Sequence, residues 1–343
     1  MWLTCSSIGR KFVMAITGVA LVLFVTFHVL MNSVALLWPA AYNVICEFLG
    51  ANWYALVASA GLALLFVIHI IYAVWLTIQN RRARGNDRYA IAGAAPGVEW
   101  SSKNMLVLGI VVVAFLIVHL IQFWSKMQLQ ELLSHDITSL PTVGDAPAAP
   151  HFGTLFLQAA FESWWTPVIY IVGFIALWFH MNHGFWSMFH TVGFDNNIWL
   201  KRLKTISCCW TTVVVLLFTA QAILFTVQAH NKFFLTAPEL QEQYAEYWSE
   251  KAEDLIEEYQ AKASAAMAAI TNPVEQKDAQ TAFFVENGEY FISQAKAIQA
   301  AAKAQAPDVN AQQIQTLGQF ETFVSGRTEA ALKQQSQNQP ANE

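Results

Sequence analysis

Five long apolar runs, at roughly 12–38, 54–78, 105–125, 167–190 and 205–230, dominate the first two thirds of the chain. Spanning the hydrocarbon of a bilayer takes about 20 apolar residues in helix. In lipid each run must be helical, because no water is present to satisfy a bare backbone. The pattern therefore predicts an all-α fold, an integral membrane bundle of five helices spanning residues 1–235. Short polar loops join the runs, with one longer loop, 127–165, rich in Pro, Ala and Thr.

Past residue 235 the pattern changes to long Ala/Glu/Gln-rich stretches. Thr236 with Pro238 and Glu239 reads as a capping-box helix start. Helical runs are expected to Ile270, over 274–305 and over 309–333, broken at Asn272–Pro273 and Pro307. Tyr244, Tyr247, Trp248, Tyr259, Phe283, Phe284, Tyr290, Phe291, Phe320 and Phe323 are available to seal a small bundle. The expected division is a membrane domain, 1–235, a helical extension outside the membrane, 236–333, and a disordered tail, 334–343.

Composition agrees with this division. Of 343 residues, 55% are hydrophobic and 13% charged, and the mean hydropathy is +0.37, too apolar for a soluble domain of this size. The first 235 residues carry a net charge of +4 and the remainder −9, which sum to the total of −5. Basic residues near the helix ends set orientation. Arg10, Lys11, Arg81, Arg82, Arg84, Arg88, Lys103, Lys201, Arg202 and Lys204 fall on one side, and only Lys126 and Lys232 on the other. The N-terminus is therefore expected in the cytoplasm and the C-terminus, after five crossings, in the periplasm, as in a multi-pass protein of the inner (cytoplasmic) membrane. The run from Phe12 to Pro39 is too long for a signal peptide and has no small-residue cleavage site, so no cleavable signal is expected. Cys5, Cys46, Cys208 and Cys209 form no CxxC and no CxxCH, which argues against zinc fingers and covalently attached c-type haem. No nucleic-acid partner is expected.

Nine histidines are present, and four lie deep in the apolar runs: His28, His69, His119 and His180. Ionisable side chains inside a membrane are costly and mark functional sites. A neutral His bonded to a neighbouring helix is the plain alternative for any one of them. The depths of the four decide. His28 lies about 25 Å along its helix from Lys11, and His119 about 24 Å from Lys103. His69 lies about 24 Å from Trp53, and His180 about 22 Å from Trp165. The first two therefore belong near the outer leaflet and the last two near the cytoplasmic one. Two imidazoles at one depth are what a six-coordinate b-type haem takes, one on each face of its iron. Proton relays do not predict matched pairs at two depths. His183, one turn from His180, is the competing ligand. Gly18, Gly61, Gly109 and Gly173 offer either room for a flat macrocycle or close helix packing.

At this point the residues resemble a known family. Ser6-Ser7-Ile8-Gly9-Arg10-Lys11 leads into Thr17-Gly18 and Phe27-His28. Gln79-Asn80-Arg81-Arg82-Ala83-Arg84 and Trp100-Ser101-Ser102-Lys103-Asn104-Met105 follow, the latter leading to His119-Leu120. The most specific run is Phe179-His180-Met181-Asn182-His183-Gly184-Phe185-Trp186-Ser187-Met188-Phe189-His190-Thr191-Val192-Gly193. Over about residues 1–230 the chain resembles the di-haem cytochrome b membrane anchor of succinate dehydrogenase/fumarate reductase (succinate:quinone oxidoreductase), five-helix type, closest to Bacteroidetes versions.

The resemblance implies that His69 and His180 ligate a proximal haem and His28 and His119 a distal one, and it favours His180 over His183. It implies two haem b, with menaquinone as the substrate. It also implies a flavoprotein subunit (FAD) and an iron–sulphur subunit with its clusters on the cytoplasmic face, where the succinate/fumarate chemistry would occur. A quinone site with an acidic residue in the region of the first two helices is implied too. Glu47 is the nearest match there and the candidate for quinone proton transfer, with Glu162 as another outer-side carboxylate; a plain loop carboxylate is the alternative for each. Two features depart from the family. Trp178 stands where some fumarate reductases carry a glutamate of a transmembrane proton path, and the 236–343 extension has no counterpart; a periplasmic partner or a cover over the outer region would account for it. The competing functions are the cytochrome b subunit of a formate dehydrogenase, hydrogenase or nitrate reductase, and a haem-free membrane transporter or scaffold.

Overall fold

A computed structural model describes residues 6–84, 99–194, 196, 198–268 and 270–338. Cys5, Arg88 and the stretch 339–343 lie outside the described residues, as does the side chain of Arg84. Apart from one two-stranded hairpin, the regular structure of the described residues is helical. The elements are α1 (Ser7–Leu37), α2 (Pro39–Ala51), α3 (Trp53–Arg84), α4 (Trp100–His119) continued by a π turn (Leu120–Trp124), α5 (Gln128–Leu133), a 3₁₀ turn (Ile137–Ser139), β1 (Thr142–Val143), β2 (Ala146–Pro147), α6 (Gly153–Phe161), α7 (Trp165–Thr191), α8 (Trp199–His230), α9 (Phe233–Thr236), α10 (Pro238–Met267), α11 (Pro273–Gln305) and α12 (Ala311–Asn338). Five helices are long and apolar enough to cross a membrane: Ser7–Leu37, Trp53–Ala83, Trp100–Trp124, Trp165–Thr191 and Trp199–His230.

The chain divides into two compact units, Met1–Gln128 with Phe156–Asn231, and Leu129–Leu155 with Lys232–Glu343. The segment 129–155, assigned by sequence to the long loop of the first region, thus belongs to the second unit.

In the first unit, Ser6 caps α1 by accepting from the Gly9 amide at 2.9 Å, the standard way to satisfy an orphan N–H at a helix start. The four helices that carry the deep histidines close a ring. Helix α1 packs on α3 and α7, and α4 packs on α7 and touches α3. Across this ring α1 faces α4 and α3 faces α7. Helix α8 packs against α7 and α1. Apolar side chains such as Leu23, Leu64, Val107, Val172 and Leu216 stand exposed on these helices, as helices bathed in lipid require.

The second unit is built on α10, α11 and α12, with α11 packed against both of the others. Its core includes Leu240, Tyr244, Trp248, Phe291, Ile298, Leu317 and Val324, all buried. The Tyr259 ring meets Phe283, Phe284, Phe291, Phe320 and Phe323 at 5.3–6.4 Å. Two buried glutamines of α11 fasten the 129–155 segment. Gln294 accepts from the Ile137 amide at 2.9 Å, and Gln305 donates to the Pro147 carbonyl at 2.6 Å.

Three boundaries differ from expectation. Thr236 ends α9, and its hydroxyl donates back to the Lys232 carbonyl at 3.0 Å. The N-cap of α10 is Ala237, without a side-chain cap, so no capping box forms there. Pro238 at the first helical position suffices, since its missing N–H falls among the orphans. Helix α12 runs to Asn338, five residues into the stretch expected to be disordered. The 127–165 loop holds α5, α6 and the hairpin. The break at Asn272–Pro273 is as expected, with Asn272 capping α11 through the Val274 amide at 3.0 Å.

Helix α12 crowds α11 at Gly288, where Thr328 fills the space beside the glycine. A Cβ there would stand 2.8 Å from Thr328 Cγ2 and 2.9 Å from its Cβ. Such overpacking costs about 1–3 kcal/mol. Gly288→Ala is therefore expected to lower the thermal midpoint of the full chain, and Thr328→Ala in the same chain to recover part of the loss.

Candidate functional site

The four deep histidines meet in two pairs, each drawn from helices that face each other across the ring. His28 on α1 and His119 on α4 have ring centroids 5.7 Å apart, with planes at 86°. His69 on α3 and His180 on α7 have centroids 6.4 Å apart, with planes at 65°. The pairs form two levels. Thr17 touches His69, and His28 lies eleven residues further along the same helix, about 16 Å at 1.5 Å per residue.

Each level has its own polar support. At the level of His69 and His180, the inner one in the orientation expected from the basic residues, the Thr17 hydroxyl donates to the Val13 and Met14 carbonyls at 2.9 and 3.1 Å. Its oxygen is thereby free to accept from His69 Nδ1, 3.1 Å away. His180 Nδ1 is buried without a partner among the described residues. Gly18 on α1 and Gly109 on α4 flank this level. A Cβ on them would lie 3.9 Å from His69 Cε1 and 3.7 Å from His180 Cε1 respectively.

At the level of His28 and His119, the outer one in that expected orientation, His119 Nδ1 lies 3.2 Å from the Tyr170 hydroxyl. Phe24 stacks on His28 with centroids 5.3 Å apart, and Phe123 lies 5.3 Å from His119. Helix α4 opens into its π turn at the residue after His119, a widening common at functional positions. Asn32 donates to the His28 carbonyl at 3.0 Å and accepts from the Tyr42 hydroxyl at 3.1 Å. Gln221 of α8 donates to the Val29 carbonyl at 2.9 Å and to Ser33 at 2.8 Å. The fifth long helix thus steadies α1 beside His28.

No family model, no characterised protein and no solved structure matches this chain.

His183, the competing ligand, points elsewhere. Its Nδ1 lies 3.5 Å from Glu99 and its ring edges on Trp186 at 4.9 Å. Lys204 completes the cluster, 2.7 Å from Glu99 and 4.4 Å above the Trp186 ring. Burial pushes the Glu99 carboxyl up, but Lys204 and His183 outweigh it and hold the group below the usual carboxylate range. A depressed carboxylate contributes stability at pH above its unfolded value, and loses it as pH falls through the folded one. Because Glu99 is 36% exposed, the contribution is at most about 1 kcal/mol. Glu99→Gln is expected to flatten the fall in thermal midpoint on acidification below about pH 4.

Arg10 sits at the same end of the bundle as Trp75 and Gln79. Its guanidinium lies 5.3 Å over the Trp75 ring. The Gln79 amide oxygen, oriented to satisfy its neighbours, accepts from Arg10 Nη1 at 2.8 Å and Trp75 Nε1 at 2.9 Å. Arg10 Nε is buried without a partner among the described residues, which suits an anionic group.

The remaining sequence candidates are dispersed. Glu47 is exposed on α2. Glu162 is exposed and accepts from Gln158 at 3.4 Å. Trp178 donates to Thr212 at 2.9 Å. Gly173 makes no room for a ligand, since the Phe115 side chain fills the space a Cβ would take; here close helix packing applies. Gly61 has no atom within 4 Å of its Cβ position. In the second unit His151 lies 3.8 Å from Glu131. His230 meets the Thr226 carbonyl at 2.8 Å.

Proposed function

We propose that this chain is the membrane-anchor cytochrome b subunit of a succinate dehydrogenase/fumarate reductase complex, holding two haem b and carrying electrons between an iron–sulphur subunit and menaquinone. The observation that carries the haem assignment is the pairing of four imidazoles at two levels, each pair from facing helices. The ring-centroid separations of 5.7 and 6.4 Å would suit two imidazoles held on one metal ion, at a nitrogen–metal distance of about 2 Å on each side. His28 with His119, and His69 with His180, would each hold one haem b, and the group would supply one-electron transfer.

The chain's own residues suit the rest of the group. Thr17 and Tyr170 engage Nδ1 of His69 and His119, leaving Nε2 as the ligating nitrogen, the arrangement that orients metal-bound histidines. Gly18 on α1 and Gly109 on α4, beside the rings of His69 and His180, would leave room for the edge of such a group. Arg10, with its unpartnered Nε, suits a propionate at the cytoplasmic end.

The complex itself is supported by the Phe179–Gly193 run and the Ser6–Lys11 start. In this function the chain is a multi-pass inner-membrane protein with a cytoplasmic N-terminus and a periplasmic C-terminus. A flavoprotein and the iron–sulphur subunit dock on the basic cytoplasmic face. Glu47 on α2 is the proposed partner for quinone protons, and the acidic α10–α12 unit lies outside the membrane. Purification from native membranes tests this. The function predicts a b-type reduced-minus-oxidised spectrum and a co-purifying flavoprotein. Absence of Soret absorption, or a molybdenum or nickel enzyme as the partner, would contradict it.

A further inference from the structure

We propose that Tyr170 is the positioning residue for His119, and that through it the outer level is tuned independently of the inner one. This role rests on the two-haem function proposed above.

Tyr170 is 5% exposed. Its ring is wedged among Phe115, Phe161 and Phe174, at centroid separations of 5.0, 5.3 and 5.9 Å. Packing alone would be served as well by phenylalanine. The hydroxyl, however, belongs to a directed chain inside an apolar bundle. It donates to Gln122 Oε1 at 2.9 Å. The Gln122 amide is fixed in turn, because its Nε2 donates to the buried Thr166 hydroxyl at 3.3 Å. With its only proton committed to Gln122, the Tyr170 oxygen acts as acceptor toward His119 Nδ1, 3.2 Å away. The tautomer of His119 follows: the proton sits on Nδ1 and the lone pair on Nε2.

A hydrogen bond from the far nitrogen makes an imidazole a more basic ligand, which favours the ferric over the ferrous state. It also fixes the plane of the His119 ring at 86° to that of His28. At the inner level the corresponding acceptor is an aliphatic hydroxyl, Thr17, and His180 Nδ1 has no partner among the described residues. The two levels therefore differ in how their ligands are held.

The test is redox titration and low-temperature electron paramagnetic resonance on the purified full-length complex, with His28→Ala used to identify the outer-level signal. Tyr170→Phe is expected to retain both haems and raise the midpoint of the outer one alone. Loss of such a partner typically changes metal-site behaviour by 10–100-fold. At about tenfold in the oxidised-to-reduced ratio, the rise is about 59 mV for a one-electron couple. The outer low-spin signal is also expected to change its anisotropy as the ring plane is freed. Gln122→Leu, which removes the acceptor of the Tyr170 proton, is expected to move the same midpoint by less. Two haems with unchanged midpoints and unchanged signals in Tyr170→Phe would overturn the role. Should Tyr170→Phe not fold, an unmoved outer midpoint in Gln122→Leu would overturn it equally. Absence of haem from the unsubstituted complex would instead overturn the function on which the role depends.

Discussion

His69→Ala is expected to remove one of the two low-spin haems proposed for this chain and to leave the other. The expectation follows from the separation of the levels. His69 faces His180 across the ring at 6.4 Å, whereas His28 and His119 lie about 16 Å further along the bundle. Removing one imidazole would leave the proposed group held from one side, so that it would be lost or turn high-spin. His180→Ala should reproduce this result, and His28→Ala and His119→Ala should remove the complementary signal. His183→Ala should remove neither, because that ring is engaged with Glu99 and Trp186. The measurement is the low-spin resonance of the oxidised protein, read for each variant. Loss of a low-spin signal in His183→Ala with His180→Ala intact would reassign the ligand.

Gly173→Ala is expected to be the most damaging single methyl in the first unit. Its Cβ would stand 2.7 Å from Phe115 Cδ2 and 2.9 Å from Phe115 Cβ. Cβ is the root of the side chain, so a simple rotation does not clear it, and α4 and α7 must move apart. Overpacking of this kind costs about 1–3 kcal/mol. The consequence reaches the site, because the Phe115 ring lies 6.1 Å from His119 and 5.0 Å from Tyr170. A lower thermal midpoint is the expected outcome, with preferential loss of the haem proposed between His28 and His119. Phe115→Ala in the same chain should restore part of both, since the two changes share one contact. Equal loss at the two levels would place the damage elsewhere than at this contact.

Much of the first unit is legible in sequence for one physical reason. Lipid leaves a long apolar run no alternative to helix, and a helix converts sequence separation into depth. The two levels of histidines follow from those facts alone. The ends of the helices are less legible. The polar first turn of α4, with Ser101, Ser102, Lys103 and Asn104, conceals its start at Trp100, five residues before the apolar run. The partners of the rings are not legible, because whether Thr17 or Tyr170 reaches an Nδ1 depends on how each helix is rotated against its neighbour. A signal was present nonetheless: Thr17, Gln122, Tyr170 and Gln221 are polar groups within apolar runs, and such residues seldom lack a role. Gly173 shows the limit of reasoning from residue type. Its spacing from His180 fits a ligand pocket as well as a helix contact, and only the position of Phe115 separates the two. In the second unit the helices follow from the Pro and Asn breaks. The attachment of 129–155 depends on Gln294 and Gln305, more than 150 positions away in the chain, a separation no local pattern encodes.

The central claim is that two pairs of imidazoles each hold one haem, and its most direct test is the ratio of extractable haem b to protein in the purified complex. The account predicts two per chain. A ratio of one, or none, in a preparation that is intact and active toward quinone would contradict it.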